Sequence, residues 1–418
     1  MLKKIFVIIV LILSITTISY ADEIEADDFL ENEIWEEINE VNKINKNEEP
    51  KLNSRAAIVF DRTSKSVIFG KNIDSKRAMA STTKIMTAIL VLEKGNLSDT
   101  IEVGQKAANT GGSRLGLKNK DKITLRDLLY GLMLRSGNDA AVQIAMHLGG
   151  SIEGFAKMMN EKAQELGLKN TNFVTPHGLD DPNHYTTAYE LALLTDYALT
   201  IEEFAKIVNT KTATICINGS PKTINNTNEL LGYLNGVNGV KTGFTNNAGR
   251  CLVTSTVRNN WQIITVVLGA DTKKYRTKDS IELIEYTFKN YKQVNIKEII
   301  EKEFENWKSD YSLKIIKGID IKTDVVMKYN YDYELYPLKD GNTENVKVQI
   351  EAEETFRAPL EANTEIGKIH VIIDNKEIMT IPIVTTKTIE RKETWVYFFE
   401  IIAQYTKQLE KVMYRLIV

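Results

Sequence analysis

The chain has 418 residues, of which 43% are hydrophobic, 26% charged and 8% aromatic, and only seven are proline. At about 150 residues per domain this length predicts two or three domains with ample core, and the composition excludes a mainly disordered, collagenous or polytopic membrane chain. Lys plus Arg number 53 against 56 Asp plus Glu, a net charge of −3, which gives no electrostatic footprint for duplex nucleic acid.

Residues 1–21 carry Lys3 and Lys4, then an apolar run from Ile5 to Leu13, and end in Ser19-Tyr20-Ala21. A basic start, a short apolar core and small residues predict a secretory signal peptide cleaved after Ala21. An uncleaved anchor is the alternative, because residues 5–21 hold no charge. Either reading predicts an extracytoplasmic protein at the outer face of the cytoplasmic membrane. Residues 22–50 then place twelve acids against Lys43 and Lys46. Phe29, Leu30, Ile34, Ile38 and Val41 are spaced as an apolar stripe, but the charge density predicts a mobile acidic leader, at most transiently helical.

From Ala56 the string AAIVFDRTSKSVIFGKN reads as a β-hairpin, with a polar turn between two apolar runs. Helical periodicity follows in TTKIMTAILVLEKG and TLRDLLYGLMLRSGNDAAVQIAMHLGG. Strand character returns in TATICING, GVKTGF, GRCLVTSTVR and WQIITVVLGA, before the helix KDSIELIEYTFKNYK. Residues 51–292 therefore predict an α/β (α+β) domain, a sheet covered by helices. Cys216 and Cys251 permit one disulfide, although free buried thiols fit better, and no Cys-x-x-Cys pair supports redox or zinc chemistry.

Over residues 293–386 short alternating segments such as VKVQIEAEE, punctuated by Lys339-Asp340-Gly341 and Asp374-Asn375-Lys376, predict a smaller all-β domain. Residues 387–418 change again. Trp395, Phe398, Phe399, Ile402, Leu409, Val412, Met413 and Leu416 share one helical face, opposite Glu400, Gln404, Lys407, Lys411 and Arg415. Charges are too frequent for a spanning helix. The pattern predicts an amphipathic helix lying in a membrane surface, and a helix docked on its own protein or on a second copy is the alternative.

Chemistry concentrates in three strings. Ser81-Thr82-Thr83-Lys84 opens a helix, so one turn separates an alcohol from an amine that can take its proton. The helix N-terminus supplies positive dipole and N–H groups for an oxyanion, and Lys84 must be neutral to act as base. Ser136-Gly137-Asn138 breaks two helical patterns and can aim a hydroxyl and an amide into a cleft. Lys241-Thr242-Gly243 enters a strand where glycine lets a substrate backbone approach the edge. Each string alone is also an ordinary N-cap, loop or charged edge.

Together and in this order they are the signature of penicillin-recognising enzymes. The chain resembles the low-molecular-mass penicillin-binding proteins, serine-type D-Ala-D-Ala carboxypeptidases with a β-rich C-terminal domain. GGSRLGLKNKDKITLRDLLYGLMLRSGNDAA, NFVTPHGLDDPNHYTTAYELALL, NTNELL and GVKTGFTNNAGRCLV carry the resemblance over roughly residues 52–418. It implies a transpeptidase/β-lactamase-like fold, no cofactor, and peptidoglycan stem peptides and β-lactam antibiotics as partners. It implies Ser81 as the acylated nucleophile, Lys84 as its base, Ser136 as proton shuttle and Asn138 as donor to the substrate amide. It further implies that Lys241 and Thr242, with Gly243 beside them, hold the carboxylate side, that Ser81 and Phe244 N–H groups form the oxyanion hole, and that Arg276 helps fix the carboxylate. Arg135 and Glu190 depart from the family pattern without touching these positions.

The resemblance leaves rivals: a β-lactamase-like hydrolase, or a catalytically silent peptidoglycan-binding scaffold. A zinc peptidase built on His177 and His184 lacks a third imidazole or a glutamate base beside them.

Overall fold

The structure is a computed structural model and describes residues 31–43, 45–331 and 334–417, so the predicted signal peptide lies outside the described residues. The chain divides between Tyr291 and Lys292 into two compact units.

The first unit begins with α1 (Glu31–Asn42), β1 (Ala56–Asp61), β2 (Val67–Lys71) and a 3-10 turn (Ala80–Thr83) that runs into α2 (Lys84–Lys94). Next come β3 (Thr100–Glu102), α3 (Gln105–Ala108), β4 (Lys122–Thr124), α4 (Leu125–Met133), α5 (Asn138–Gly149), α6 (Ile152–Glu165), α7 (Ala188–Ala198) and α8 (Glu202–Val208). It closes with β5 (Thr212–Ile217), β6 (Ser220–Asn225), β7 (Val237–Thr245), β8 (Gly249–Arg258), β9 (Trp261–Ala270) and α9 (Lys273–Asn290).

Strands in the order β2-β1-β9-β8-β7 form one antiparallel sheet. All of β1 is buried, since helices cover both faces of the sheet. Its Ala56, Ile58 and Phe60 join the large cluster with Ile85, Ile89, Leu128, Leu132 and Ile144, while Ala57 and Val59 turn to Trp261, Ile263 and Leu283. The period of two thus splits one strand between two cores. A second small sheet orders β3-β4-β5-β6. Hydroxyls fix where helices begin: Thr124, Thr187 and Thr272 each accept the backbone N–H three residues on, at 3.1 Å. At the far edge β7 pairs with β8 alone, in a register that sets Gly243 opposite Cys251 and Phe244 opposite Arg250.

The acidic leader needs correcting over residues 31–42. There α1 is a docked helix, with Ile34, Ile38 and Val41 buried against Leu230, Leu231, Leu234, Ile281 and Ile284. Charge density does not prevent it because the acids find cations on α9: Glu37, 2% exposed, lies 3.1 Å from Lys274 and 3.7 Å from Lys278, and Glu40 lies 3.4 Å from Lys278. Both cysteines are free; Cys251 is buried, whereas Cys216 is exposed, so the buried-thiol reading holds for one of them.

The second unit holds β10 (Tyr291–Asn295) at the division, α10 (Ile296–Asp310), β11 (Lys314–Ile316), β12 (Val325–Met327), β13 (Leu335–Lys339) and β14 (Val346–Ala352). It continues through β15 (Thr355–Arg357), β16 (Glu365–Ile373) and β17 (Lys376–Thr385) to α11 (Thr394–Ile417). A four-stranded antiparallel sheet runs β12-β17-β16-β14, and β11 pairs in parallel with β15. Ile296, Ile300 and Phe304 of α10 pack on Ile369, Val371, Ile381 and Ile383, a core separate from those of the first unit. On α11 the predicted apolar residues Trp395, Phe398, Phe399, Ile402, Leu409, Val412 and Met413 are all exposed. The side chains of Arg415 and Leu416 lie outside the described residues. Among the described residues no helix is long and apolar enough to cross a membrane.

Candidate active site

Ser81 stands on the 3-10 turn just ahead of α2, after Ala80, whose φ of +47° is strained for a residue with a side chain. Two threonines lock this turn: Thr82 Oγ1 donates to Met79 O at 2.6 Å and Thr83 Oγ1 to Ala80 O at 2.8 Å. The loop beneath requires glycine at Gly178 (φ +90°), because a Cβ there would lie 1.8 Å from Ala80 O. One turn on, the fully buried Lys84 places Nζ 2.6 Å from Ser81 Oγ, 2.7 Å from Asn138 Oδ1 and 2.9 Å from His177 O.

Ser136 (φ +60°) and Gly137 form the sharp corner between α4 and α5. Asn138 then accepts from Lys84 through Oδ1 and donates through Nδ2 to Gly111 O at 2.9 Å. Asn138, 3% exposed, thus orients the amine, and its Nδ2 carries a second N–H besides the one given to Gly111 O. The next residue, Asp139, drew no attention in the sequence. Its buried carboxylate accepts from Leu115, Gly116 and Leu117 N–H groups at 2.8, 2.8 and 2.9 Å, and so fixes the turn after Ser113.

On β7, Gly243 lets the strand close on the nucleophile, since a Cβ would lie 3.0 Å from Ser81 N and 3.1 Å from Ala80 Cβ. Thr242 Oγ1 sits 2.7 Å from Thr227 Oγ1, and buried Lys241 donates to Thr242 O at 2.9 Å. The Arg250 guanidinium stacks 3.8 Å from the Phe244 ring centre. Ser81, Ser113, Ser136, Thr227, Thr242, Gly243 and Phe244 together line a narrow crevice. Lys84 and Asn138 stand buried behind Ser81. Ser113 and Thr227 were not singled out from sequence; they lie in the GGSRLG and NTNELL strings, where only the resemblance gave a signal.

Lys241, like Lys84 and Asn138, is not among the residues that line the crevice, and neither is Arg276. Arg276 is fully buried on α9, where its guanidinium pairs with Glu229. Glu229 also accepts from Thr277 Oγ1 at 2.5 Å. Burial pushes the Glu229 carboxyl up, but Arg276 and Thr277 more than offset it and hold the group below its ordinary range. Glu229 thus engages the cation that the resemblance assigns to the substrate carboxylate.

The two histidines serve the backbone. His184 Nδ1 accepts from Val174 N at 2.9 Å, and its Nε2 lies 2.7 Å from Thr83 Oγ1, so the ring braces the nucleophile turn. His177 Nδ1 accepts from Leu179 N at 3.1 Å. Burial above all pulls the imidazoles down to about 3 at His177 and about 4 at His184. Among the described residues no group of His, Cys, Asp or Glu could hold a metal ion. Asp180 ties this loop to the end of β7, accepting from Thr245 Oγ1 at 2.6 Å. Glu190 accepts from Thr171 Oγ1 at 2.6 Å within the fold, and Arg135 is exposed.

Comparison with known proteins gives two family matches: D-alanyl-D-alanine carboxypeptidase over residues 43–272, and Penicillin-binding protein 5, C-terminal domain, over residues 308–391. The D-alanyl-D-alanine carboxypeptidase DacF of Bacillus subtilis is 31% identical over 348 residues, covering 81% of this chain and 86% of its own. The solved structure of penicillin binding protein 5 from Haemophilus influenzae superposes with a TM-score of 0.68 at 28% identity, covering 82% of this chain and 99% of that one. The Streptomyces K15 DD-transpeptidase gives a TM-score of 0.55 at 32% identity, covering 59% of this chain and 99% of that one.

Proposed function

The chain belongs to the D-alanyl-D-alanine carboxypeptidase family, and on that premise we propose how its own residues carry out the reaction. It is a penicillin-binding, serine-type DD-carboxypeptidase with a strand-rich C-terminal domain. In the proposed course Ser81 Oγ attacks the carbonyl carbon of the penultimate D-alanine of a peptidoglycan stem peptide while its proton passes to Lys84. The 2.6 Å separation of Lys84 Nζ from Ser81 Oγ carries this reading. A neutral amine has two N–H groups and one lone pair; Asn138 Oδ1 and His177 O accept the N–H groups, and the lone pair meets the hydroxyl.

The oxyanion develops toward the N–H groups of Ser81 and Phe244, at the N-terminus of the helix. The C–N bond then breaks and the leaving D-alanine amine takes a proton by way of Ser136. Water adds to the Ser81 ester, Lys84 again receives the proton, and the shortened stem leaves with the Ser81 hydroxyl restored. Thr242, Thr227 and Lys241 face the terminal carboxylate. A β-lactam acylates the same oxygen, because its strained amide occupies the place of the scissile bond.

Export and location belong to the same proposal. A signal peptide over residues 1–21 would deliver the enzyme outside the cytoplasmic membrane, and α11 would hold it peripherally on the outer face. The exposed apolar face of α11 supports the second step.

Labelled penicillin followed by peptide mass spectrometry tests the chemistry. The wild type should carry label on the peptide containing Ser81, while Ser81→Ala should carry none and should lose D-alanine release by about 10³-fold or more. Equal labelling of the two proteins would remove Ser81 from the reaction.

A further inference from the structure

The helix α1 precedes both family-matched spans, the first of which begins at residue 43. Even so, it covers the loop that forms one wall of the crevice. Residues 227–229 of that loop face inward: Thr227 Oγ1 lies 2.7 Å from Thr242 Oγ1, Asn228 Nδ2 donates to Gly239 O at 2.8 Å, and Glu229 engages Arg276. The following residues, Leu230, Leu231 and Leu234, lean on Ile34, Ile38 and Val41 of α1. Trp35 meets Tyr233 edge-on, with ring centres 6.3 Å apart.

The second anchor is electrostatic. Glu37 of α1, 2% exposed, lies 3.1 Å from Lys274 and 3.7 Å from Lys278, and these lysines flank Arg276 on α9. One helix therefore holds both partners of the Glu229–Arg276 pair, the loop by apolar contact and α9 by charge and by its Ile281 and Ile284. The α1 side chains Ile34, Ile38 and Val41 close one side of the apolar cluster that buries the three leucines.

We propose that α1 is a positioning element of the catalytic unit: through Ile38 and Glu37 it fixes the 226–236 loop, and thereby sets Thr227 and Thr242 for the substrate's terminal carboxylate. This rests on the function proposed above, in which those hydroxyls face that carboxylate. Neither Ile38 nor Glu37 touches substrate; both act through the loop.

The test uses the full chain with Ile38→Ala, Ile38→Val and Glu37→Gln. For D-alanine release from a soluble pentapeptide, Ile38→Ala and Glu37→Gln should raise KM about fivefold with kcat within about twofold of wild type per penicillin-titrated site, and Ile38→Val should restore wild-type values. Backbone amides of residues 227–231 should exchange faster in Ile38→Ala and Glu37→Gln than in wild type. Unchanged KM together with unchanged exchange would overturn the proposal, as would a loss of titratable sites with KM unmoved, which marks a merely structural helix. The exchange measurement reads the positioning even in a preparation that releases no D-alanine, an outcome that would instead fault the proposed reaction.

Discussion

At the scale of single residues the site depends on near approaches that tolerate no extra atom. Gly243 is the case that bears on Ser81 itself. An alanine there would bring its Cβ to 3.0 Å from Ser81 N and 3.1 Å from Ala80 Cβ. Neither neighbour can yield without moving the nucleophile, since the turn is already pinned by Thr82, Thr83 and His184. Gly243→Ala should therefore slow penicillin acylation by about 10- to 100-fold, because misplacement of this order disrupts a near-attack geometry. Its thermal midpoint should move little, as the strand register with β8 is untouched. An acylation rate within about twofold of wild type would show that β7 has room to retreat.

At the scale of elements, the loop spanning His177 and His184 couples the nucleophile turn to pH. An unfolded histidine titrates near 6.5, whereas in the fold burial brings His177 to about 3 and His184 to about 4. Between those values and 6.5 the unfolded chain binds protons that the folded chain does not. Stability is thus complete above pH 6.5 and falls as the pH drops through 6.5 toward 4 and 3. By pH 5 each ring contributes a loss of about 2 kcal/mol. Asp279 and Glu282, held above their ordinary range by burial, act in the opposite sense, so a variant isolates the histidine share. Urea unfolding at pH 7.5 and 5 should show a loss about 2 kcal/mol smaller in His184→Gln than in wild type. Identical losses in the two proteins would mean that the His184 ring accepts a proton in place.

The same scale explains how far the sequence could be read. Ser81 and Lys84 were legible because one helical turn fixes their distance, and Ser136 and Asn138 because a glycine corner between two helical patterns is a local signal. The hairpin, the helical block and the later strands were legible by period. What escaped depends on partners remote in the chain. Glu229 captures Arg276 from 47 residues away, and Glu37 of the acidic leader meets Lys274 and Lys278 only after the sheet and α9 have formed. Charge density alone predicted a leader that stays apart, because it counts the acids and not the cations that the fold brings to them. Asp139 escaped for a related reason: a buried aspartate reads as a helix N-terminal acid until the N–H groups of 115–117 are placed around it.

At the scale of the whole molecule, the crevice and the terminal helix fall in different units. The crevice residues 81–244 all fall in the unit that ends at Tyr291, and α11 falls in the other. In α11 eleven large apolar side chains stand exposed across the molecule's C-terminal helix region together with charged Glu400, Lys407 and Lys411, an arrangement whose apolar face stays in water unless something covers it. A membrane interface would bury that face and leave the charges at the headgroups. The cut belongs before Thr394, because Arg391 bridges to Gly318 and Lys392 N donates to Lys317 O at 2.8 Å within the second unit. The chain ending at Glu393 should stay in the supernatant with phosphatidylglycerol vesicles that sediment the full chain, while kcat/KM on a soluble pentapeptide stays within about twofold. Phe398→Ser with Phe399→Ser in the full chain should weaken vesicle binding by about tenfold or more, since both rings are lost from the exposed apolar face. If the shortened chain still sediments with vesicles, the attachment lies outside α11; if it instead changes from dimer to monomer in solution, the face is covered by a second copy.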